Sequence, residues 1–282
     1  MKTETLGAPK LDLVGAGPLQ IVFLGVGSAF AETLNQTNFL ILKNGRHILV
    51  DFGMTGPAAL KQVGLKPTDI GVVLPTHSHA DHVGGIECLA LMNRYVGQRF
   101  MGKNKLNMII TEEYQRILWD RTLRGGLEDN ENPEGRGQKL HFVDFFDVIR
   151  PTWKTHQPRE VYEIDFFDIH LELFRTMHIP EQSKTWEESF VSFGLYIDNR
   201  VFISCDTRFD PQLIELYRDA EVMFHDVQFF PGAVHAPLND LRRFTAEIKQ
   251  KMYLIHYADN WREQNIEGFA GFAEERLRYI FE

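Results

Sequence analysis

The sequence predicts a mixed α/β protein built of two similar layers of strands and helices. Short runs rich in Val, Ile, Leu and Phe recur from residue 21 onward, as buried strands require. Stretches with helical periodicity alternate with these runs, and the order of strands and helices occurs twice, on either side of a polar segment. Apolar residues make up 44% of the 282 residues and charged residues 24%, which is the balance of a globular protein. Two packed layers are the economical arrangement for this order.

The first half of the chain opens with antiparallel strands. The runs NFLILKNG and HILVDFG are joined at Asn44 and Gly45, a strong signal for a two-residue hairpin turn. GPAALKQVGL then predicts a helix, and IGVVLPTHSH predicts a buried strand that runs into a loop. A second helix is expected from near Gly85 through IECLALMNRYV, and KLNMIIT predicts another strand.

The second half begins with a segment that predicts an insertion or an exposed loop. In it the predicted helix EEYQRILWDRTL runs into the polar, Gly-rich GGLEDNENPEGRGQK. Strands return with VYEIDFFDIHLELFRTMHI and with the hairpin FVSFGLYIDNRVFISCDT, which turns at Asp198 and Asn199. DPQLIELYRDA and LNDLRRFTAEIKQ predict helices, EVMFHDVQFF and MYLIHYA predict strands, and we expect a last helix near 263–280. Residues 1–282 are predicted to form a single domain with an insertion or lid at about 119–160.

Charge and cysteine content narrow the function classes. Acidic residues outnumber basic ones by 39 to 30, which argues against a long contact with nucleic-acid backbone. The two cysteines cannot form a disulfide framework, which indicates a reducing compartment. The first ten residues lack the apolar run of a signal peptide, and no later segment approaches the roughly 20 apolar residues of a membrane helix. We therefore expect a cytoplasmic protein without membrane partners.

The stretch THSHADH at residues 76–82 indicates a metal site. It places His77, His79 and His82 within six positions and adds Asp81. One histidine on such a loop is usually structural, whereas three with an aspartate at this spacing point to ligands. Neutral imidazole suits zinc and similar ions, and carboxylate oxygens suit harder ions and can bridge. Asp81 and His82 could then serve a second ion beside the first.

The HxHxDH motif after an apolar strand, with ILVDFG upstream, resembles the metallo-β-lactamase superfamily. The resemblance covers residues from about 20 to 282 and implies a four-layer αββα sandwich with a metal site at one edge of the two sheets. Members usually complete the site with a lone histidine, a bridging aspartate and a final histidine, each at a strand end. His178 in FRTMHIP, Asp206 in FISCDT and His256 in YLIHYA occupy those places in that order.

The resemblance implies two divalent ions as cofactors and seven ligands. The ligands are His77, His79 and His178 for one ion, Asp81, His82 and His256 for the other, and Asp206 as the bridge. Zinc is the first expectation, with Mn or Fe as alternatives, because His/Asp sites accept each of them. Asp51 in VDFG is expected to orient a ligand histidine, as carboxylates commonly do for metal-bound imidazoles.

Two neighbouring divalent metal ions favour hydrolysis as the reaction. They can deprotonate a bridging water and neutralise the charge that builds on an attacked phosphorus or carbonyl. We therefore expect a metal-dependent hydrolase with the metal-bridging hydroxide as nucleophile, and we assign Asp81 to the catalytic group as well as to the ligands. The superfamily also cleaves lactams, lactones, thioesters and sulfates, so the ligands alone leave the substrate open.

The stretch MFHDVQFFPGAVHAPLNDL resembles the ribonuclease Z and phosphodiesterase branch. In that branch an acidic residue pairs with a histidine ahead of the last ligand, and Asp226 and His235 would be that pair. A histidine held by a carboxylate stays protonated more readily and can donate a proton to the departing alkoxide. Asp226 stands where the branch usually has Glu, and the segment joining the pair is shorter than in ribonuclease Z. We interpret His225 as a structural histidine.

The spacing of the later ligands favours a small substrate. Only residues 179–205 separate His178 from Asp206, and they hold mostly the predicted hairpin, which leaves no room for the arm that grips RNA in ribonuclease Z. With the acidic balance, this favours a small phosphodiester such as a cyclic nucleotide. Three alternatives stay open: a ribonuclease Z-type endonuclease for tRNA 3′ ends, a lactone or carboxylic-ester hydrolase, and a catalytically idle binding protein. The resemblance also implies a homodimer.

Overall fold

A computed structural model describes residues 1–7, 10–132 and 135–282. The chain divides into two compact units that alternate along the sequence. Unit one comprises Met1–Gly25, Asn38–Pro151 and Arg276–Glu282, and unit two comprises Val26–Thr37 and Thr152–Glu275. Each unit contains one eight-stranded sheet, which confirms a mixed α/β protein with two large sheets. The single domain over residues 1–282 stays a prediction.

Both units consist of short strands and helices that follow the apolar runs of the sequence. The strands of unit one are β1 (Lys2–Thr5), β2 (Leu19–Gly25), β3 (Asn38–Lys43), β4 (Arg46–Val50), β5 (Val72–Leu74), β6 (Leu106–Ile109), β7 (Phe146–Ile149) and β16 (Leu277–Phe281). Those of unit two are β8 (Thr152–Thr155), β9 (Val161–Phe166), β10 (Ile169–Arg175), β11 (Phe193–Ile197), β12 (Val201–Ile203), β13 (Val222–Asp226), β14 (Met252–Ile255) and β15 (Gly271–Phe272).

The helices are short in both units. Unit one has α1 (Gly56–Gln62), α2 (Ala80–Val83), α3 (Ile86–Met92), α4 (Arg99–Met101), α5 (Glu112–Leu118), α6 (Arg124–Leu127) and α7 (Phe142–Phe145), and unit two has α8 (Pro211–Leu216), α9 (Leu238–Leu241) and α10 (Ala246–Lys249). π-Helical turns at Asn93–Gln98 and Trp119–Leu123 join α3 to α4 and α5 to α6. Among the described residues, no helix combines the length and the apolar character that crossing a bilayer requires.

The sheet of unit one has the order β1-β16-β2-β3-β4-β5-β6-β7. Asn44 and Gly45 join β3 to β4 with φ values of 44° and 77°, so the predicted hairpin turn is confirmed. From β4 to β7 the strands are parallel. Because parallel strands end at the same edge of a sheet, Asp51 after β4 and His77 after β5 lie at one edge.

The sheet of unit two has the order β15-β14-β13-β12-β11-β10-β9-β8. Its hairpin between β11 and β12 turns at Asp198 and Asn199, with φ values of 52° and 54°, as predicted. The strands from β12 to β15 are parallel. The carboxyl ends of β12, β13 and β14 therefore bring Asp206, Asp226 and His256 to one edge of this sheet.

One helix prediction near the end of the chain is wrong, and another corresponds to two short helices. Residues 263–280 contain β15 and most of β16 instead of a helix. Tyr279 and Phe281 are buried while Arg278 and Ile280 are half-buried, which is the period of two that a strand requires, and β16 pairs with β1 and β2. LNDLRRFTAEIKQ forms the two helices α9 and α10, because the Thr245 hydroxyl accepts from the backbone N–H of Ile248 and starts a new helix.

The predicted insertion at about 119–160 contains regular structure. β7 pairs with β6, and β8 pairs with β9, so both strands within these bounds belong to the sheets. In the Gly-rich stretch the chain forms α6 and turns up to residue 132, while residues 133 and 134 lie outside the described part. The role as a lid stays a prediction.

We predict that His47 on β4 makes stability depend on pH. Its Nε2 accepts a hydrogen bond from the Gly71 N–H at 2.9 Å, and burial, aided by the charge of Lys103, lowers its pKa from 6.5 to about 4. Folding therefore disfavours the protonated His47 ring. The contribution of this ring to the free energy of unfolding is fully present above pH 6.5 and is lost as the pH falls towards 4. In an NMR titration the His47 ring should titrate near pH 4. A midpoint near 6.5 would contradict the prediction.

Candidate metal centre

In unit one the motif at residues 76–82 brings two pairs of nitrogen and oxygen atoms together. His77 Nε2 lies 3.1 Å from His79 Nδ1, and His82 Nε2 lies 3.3 Å from Asp81 Oδ2. His77, Asp81 and His82 are buried, and His79 is half-buried. The loop after β5 and the first turn of α2 therefore form a compact cluster of imidazoles and one carboxylate.

Gly84 and Gly85 permit a close backbone approach behind this cluster. A Cβ on Gly85 would lie 2.6 Å from the Gly53 carbonyl oxygen, and one on Gly84 would lie 2.5 Å from the Ala80 carbonyl oxygen. The Gly85 N–H donates to the Phe52 carbonyl at 2.8 Å. The segment after β4 is thereby held against the helix that carries Asp81 and His82.

Asp51 orients the cluster of unit one. Its Oδ2 accepts from His82 Nδ1 at 2.7 Å and from Thr76 Oγ1 at 2.8 Å, and its Oδ1 accepts from the Thr76 N–H at 2.7 Å. Burial raises the pKa of Asp51 above its ordinary value, against the opposing effect of His82. Since Nδ1 of His82 is used by this hydrogen bond, Nε2 is the nitrogen that faces Asp81.

In unit two Asp206 is shared by two histidines. Its Oδ2 lies 3.5 Å from His178 Nε2 and 3.6 Å from His256 Nε2. All three side chains are at most 2% exposed. His256 and Cys205, the neighbour of Asp206, have φ values of 60° and 48°, in the left-handed region that is unfavourable for both residue types. Such strained positions often mark functional sites.

The other ring nitrogens of these histidines are held by fixed acceptors. His178 Nδ1 lies 2.9 Å from the Val234 carbonyl oxygen, and His256 Nδ1 lies 3.4 Å from Asp226 Oδ1. A donor hydrogen on Nδ1 leaves Nε2 with its lone pair, which is the arrangement found around metal-bound imidazoles. Both rings therefore present Nε2 towards Asp206.

Asp226 and His235 form a buried pair in unit two. His235 Nδ1 lies 2.8 Å from Asp226 Oδ2, and the Thr207 N–H donates to the same oxygen at 3.0 Å. Burial alone would raise the pKa of Asp226 and lower that of His235. Their mutual charge and hydrogen bond outweigh burial, so the pKa of Asp226 is lowered and that of His235 is raised. The His235 side chain remains 20% exposed, so solvent and ligands can reach it.

The donor atoms in both units fit divalent metal ions. Ligands about 2.0–2.1 Å from a tetrahedral ion lie roughly 3.4 Å apart. The distances within the clusters, 3.1 and 3.3 Å in unit one and 3.5 and 3.6 Å in unit two, agree with that separation. In unit two Asp206, Asp226, His235 and His256 each offer an atom, and these atoms all lie within 4.8 Å of one another.

Two further histidines have structural partners. His225 is buried, and its Nδ1 lies 2.7 Å from the Asp226 backbone carbonyl oxygen. His170 Nδ1 lies 2.7 Å from Asp165 Oδ1 on the neighbouring strand β9. The contact of His225 agrees with the structural role predicted for it.

Sequence reasoning missed three groups that hold the predicted residues in place. Thr76 stood inside the quoted motif without a role, although its N–H and hydroxyl both bind Asp51. The Val234 carbonyl and the Thr207 N–H are backbone groups, which any residue type supplies. Only the folded chain can therefore identify them.

Comparison with solved structures identifies the fold. The metallo-beta-lactamase fold protein YhfI from Bacillus subtilis has a TM-score of 0.66 at 16% identity, with 93% of this chain and 99% of that chain covered. A diphosphatase of the PhnP family has a TM-score of 0.65 at 16% identity, covering 94% and 98%, and the short form of human tRNase Z has 0.60 at 17%, covering 92% and 98%. The predicted metallo-β-lactamase fold is confirmed, and with the His/Asp clusters it defines a metal-dependent hydrolase.

The chain belongs to the family of the Anti-Pycsar protein Apyc1. The sequence profile of that family matches residues 19–279. The Anti-Pycsar protein Apyc1 of Paenibacillus xerothermodurans is 36% identical over 269 residues, covering 93% of this chain and 98% of the relative. The corresponding protein of Bacillus phage 010DV004 is 31% identical over 265 residues, again covering 93% and 98%.

We predict that Asp51→Ala lowers the affinity for divalent metal by about 10- to 100-fold, because His82 loses the acceptor that orients it. Metal content after dialysis against graded chelator concentrations measures the change. Asp210→Asn is the matched control, since Asp210 is also a buried carboxylate but binds Arg159 at 2.5 Å. That variant should lose thermal stability and keep its metal. Unchanged metal affinity in Asp51→Ala would refute the orienting role.

Proposed function

We propose that the protein is a two-metal phosphodiesterase that hydrolyses a small phosphodiester such as a cyclic nucleotide. The observation that carries the proposal is the Asp226–His235 pair, in which His235 Nδ1 lies 2.8 Å from Asp226 and 3.9 Å from Asp206. His235, the proposed proton donor, thus lies beside the predicted metal ligand Asp206.

The predicted ligands of both units supply the metal centre in this proposal. They are His77, His79 and His178 for one ion, Asp81, His82 and His256 for the other, and Asp206 as the bridge. Bound divalent ions ionise a water near neutral pH and neutralise charge on the attacked phosphorus. Zinc is the first candidate by its preference for imidazole, and Mn or Fe are the alternatives. Asp81 belongs to the catalytic group because its carboxylate lies beside His82 Nε2.

His235 protonates the leaving group. Asp226 occupies its Nδ1, so the proton that moves to the departing alkoxide comes from Nε2. Asp226 also keeps the ring protonated to a higher pH, because it raises the His235 pKa. A ribose alkoxide is a poor leaving group, so an acid at this place is most useful for a phosphodiester of a sugar hydroxyl.

The segment between His178 and Asp206 supports a small substrate. All of residues 179–205 are described, and they form a loop followed by the hairpin of β11 and β12. This segment contains no helical arm that could grip a folded RNA. The net charge of -9 also disfavours an extended nucleic acid. A homodimer in the cytoplasm, with both cysteines as thiols outside any disulfide, completes the proposal.

The leaving group tests this proposal. The metal-loaded protein should convert a cyclic mononucleotide to a nucleoside monophosphate, and chelation should abolish turnover until metal is restored. His235→Ala should lower kcat for the cyclic nucleotide by about 10²- to 10⁴-fold. The loss with bis-p-nitrophenyl phosphate should be less than about tenfold, since p-nitrophenolate barely needs a proton. Chromatography of the products and absorbance assays measure the two rates.

His170→Ala is the control for this experiment, because His170 pairs with Asp165 away from the clusters. It should keep both activities. Equal losses with both substrates in His235→Ala would refute the role of His235 as acid. Cleavage of a lactone or of a precursor tRNA, with no turnover of cyclic nucleotides, would replace the proposed substrate class.

A further inference from the structure

A cleft of about 400 Å³ opens in unit two beside the loop that carries His235. Phe229, Phe230, Gly232 and Pro237 of that loop line the cleft, and His235 lies between the last two in the chain. Consecutive Cα atoms are about 3.8 Å apart, so the Cα of His235 lies within about 8 Å of the Cα of Pro237. The cleft and the proposed general acid therefore share one short segment, residues 227–237.

The 227–237 loop anchors the backbone of Phe230. The Gln228 N–H donates to the Ala236 carbonyl at 2.9 Å, which closes the base of the loop, and Gln228 Nε2 donates to the Phe230 carbonyl at 3.0 Å. A Cβ on Gly232 would lie 2.6 Å from that Nε2, so a side chain at this position would displace the Gln228 carboxamide. The Phe230 side chain is nevertheless 63% exposed. An exposed aromatic ring on an anchored backbone offers a surface for stacking.

Beyond this loop, the lining of the cleft is polar apart from Leu238 and carries no net charge. Asp240 and Arg242 contribute one charge of each sign, and Asn239 and Gln264 contribute carboxamides. Asn239 Oδ1 accepts from Arg242, and Gln264 Nε2 donates to the Asn260 carbonyl at 3.3 Å. The Asn239 amide N–H groups and the Gln264 carbonyl oxygen are the donor and the acceptor that match the mixed edge of a heterocyclic base. Proteins recognise unpaired bases by this combination of aromatic stacking and edge hydrogen bonds. The balanced charge fits a neutral ring better than a second phosphate.

We propose that this cleft binds the base of the nucleotide whose phosphodiester lies beside His235. Phe230 stacks on the base, and Asn239 and Gln264 contact its edge, so these residues determine substrate specificity. The volume lies in the range of small-molecule sites. This inference rests on the proposed function, because it requires a phosphodiester at His235.

Equilibrium binding to the metal-loaded protein tests the inference without measuring turnover. Isothermal titration compares a nucleoside 5′-monophosphate with inorganic phosphate, which has no base. The wild-type protein should bind the nucleotide more tightly than phosphate. Phe230→Ala should weaken nucleotide binding by about tenfold or more and reduce the preference over phosphate accordingly. Phe230→Trp should retain it.

Phe167→Ala is the matched control, because Phe167 is also 63% exposed and lies in the turn before β10, whereas His178 follows the other end of that strand. It should bind both ligands as the wild type does. Equal wild-type affinity for nucleotide and phosphate, or unchanged nucleotide affinity in Phe230→Ala, would overturn the inference. A change of oligomeric state in Phe230→Ala with nucleotide affinity intact would overturn it too, by assigning Phe230 to a protein contact. If the preference for nucleotide holds while cyclic nucleotides are not hydrolysed, the proposed function fails and the base-binding cleft stands.

Discussion

The structure of unit two depends on the burial of two carboxylates, Asp206 and Asp226, which are at most 2% exposed. Moving a carboxylate out of water costs several kcal/mol unless nearby groups compensate for the lost hydration. For Asp226 the compensation comes from His235 and the Thr207 N–H. The Nε2 lone pairs of His178 and His256 face Asp206, where bound divalent ions would supply it. The same requirement explains why backbone groups fix the rings, because a rotated imidazole would leave a buried charge without its partner.

Local sequence patterns predict what is decided locally. Residue types that tolerate a positive φ, Asn-Gly in one turn and Asp-Asn in the other, identified both hairpins from the sequence. The spacing in THSHADH identified the cluster of unit one. The last helix was wrong because Glu, Arg and Leu in EERLRYIFE favour a helix, while pairing with β1 and β2 decides the outcome in the folded chain. The Val234 carbonyl behind His178 could not be predicted, since its position depends on the path of a distant loop.

The fold and the ligands leave most of the chemistry open. Solved structures that share the fold at 16–17% identity include a diphosphatase and a tRNase Z, so one scaffold carries different substrates. What differs among such proteins lies outside the ligand set. In this chain the 227–237 loop combines His235, the proposed general acid, with the exposed ring of Phe230. In our proposals one short loop thus governs both the leaving group and the choice of substrate.

Our central proposal is that the predicted histidine and aspartate ligands bind two divalent ions and that Asp206 bridges them. A crystal structure of the metal-loaded protein with anomalous scattering measured at the metal edge tests it most directly. The account predicts two peaks about 3.5–4 Å apart, both in contact with the Asp206 carboxylate. A single ion, or a pair of ions that Asp206 does not contact, would contradict it.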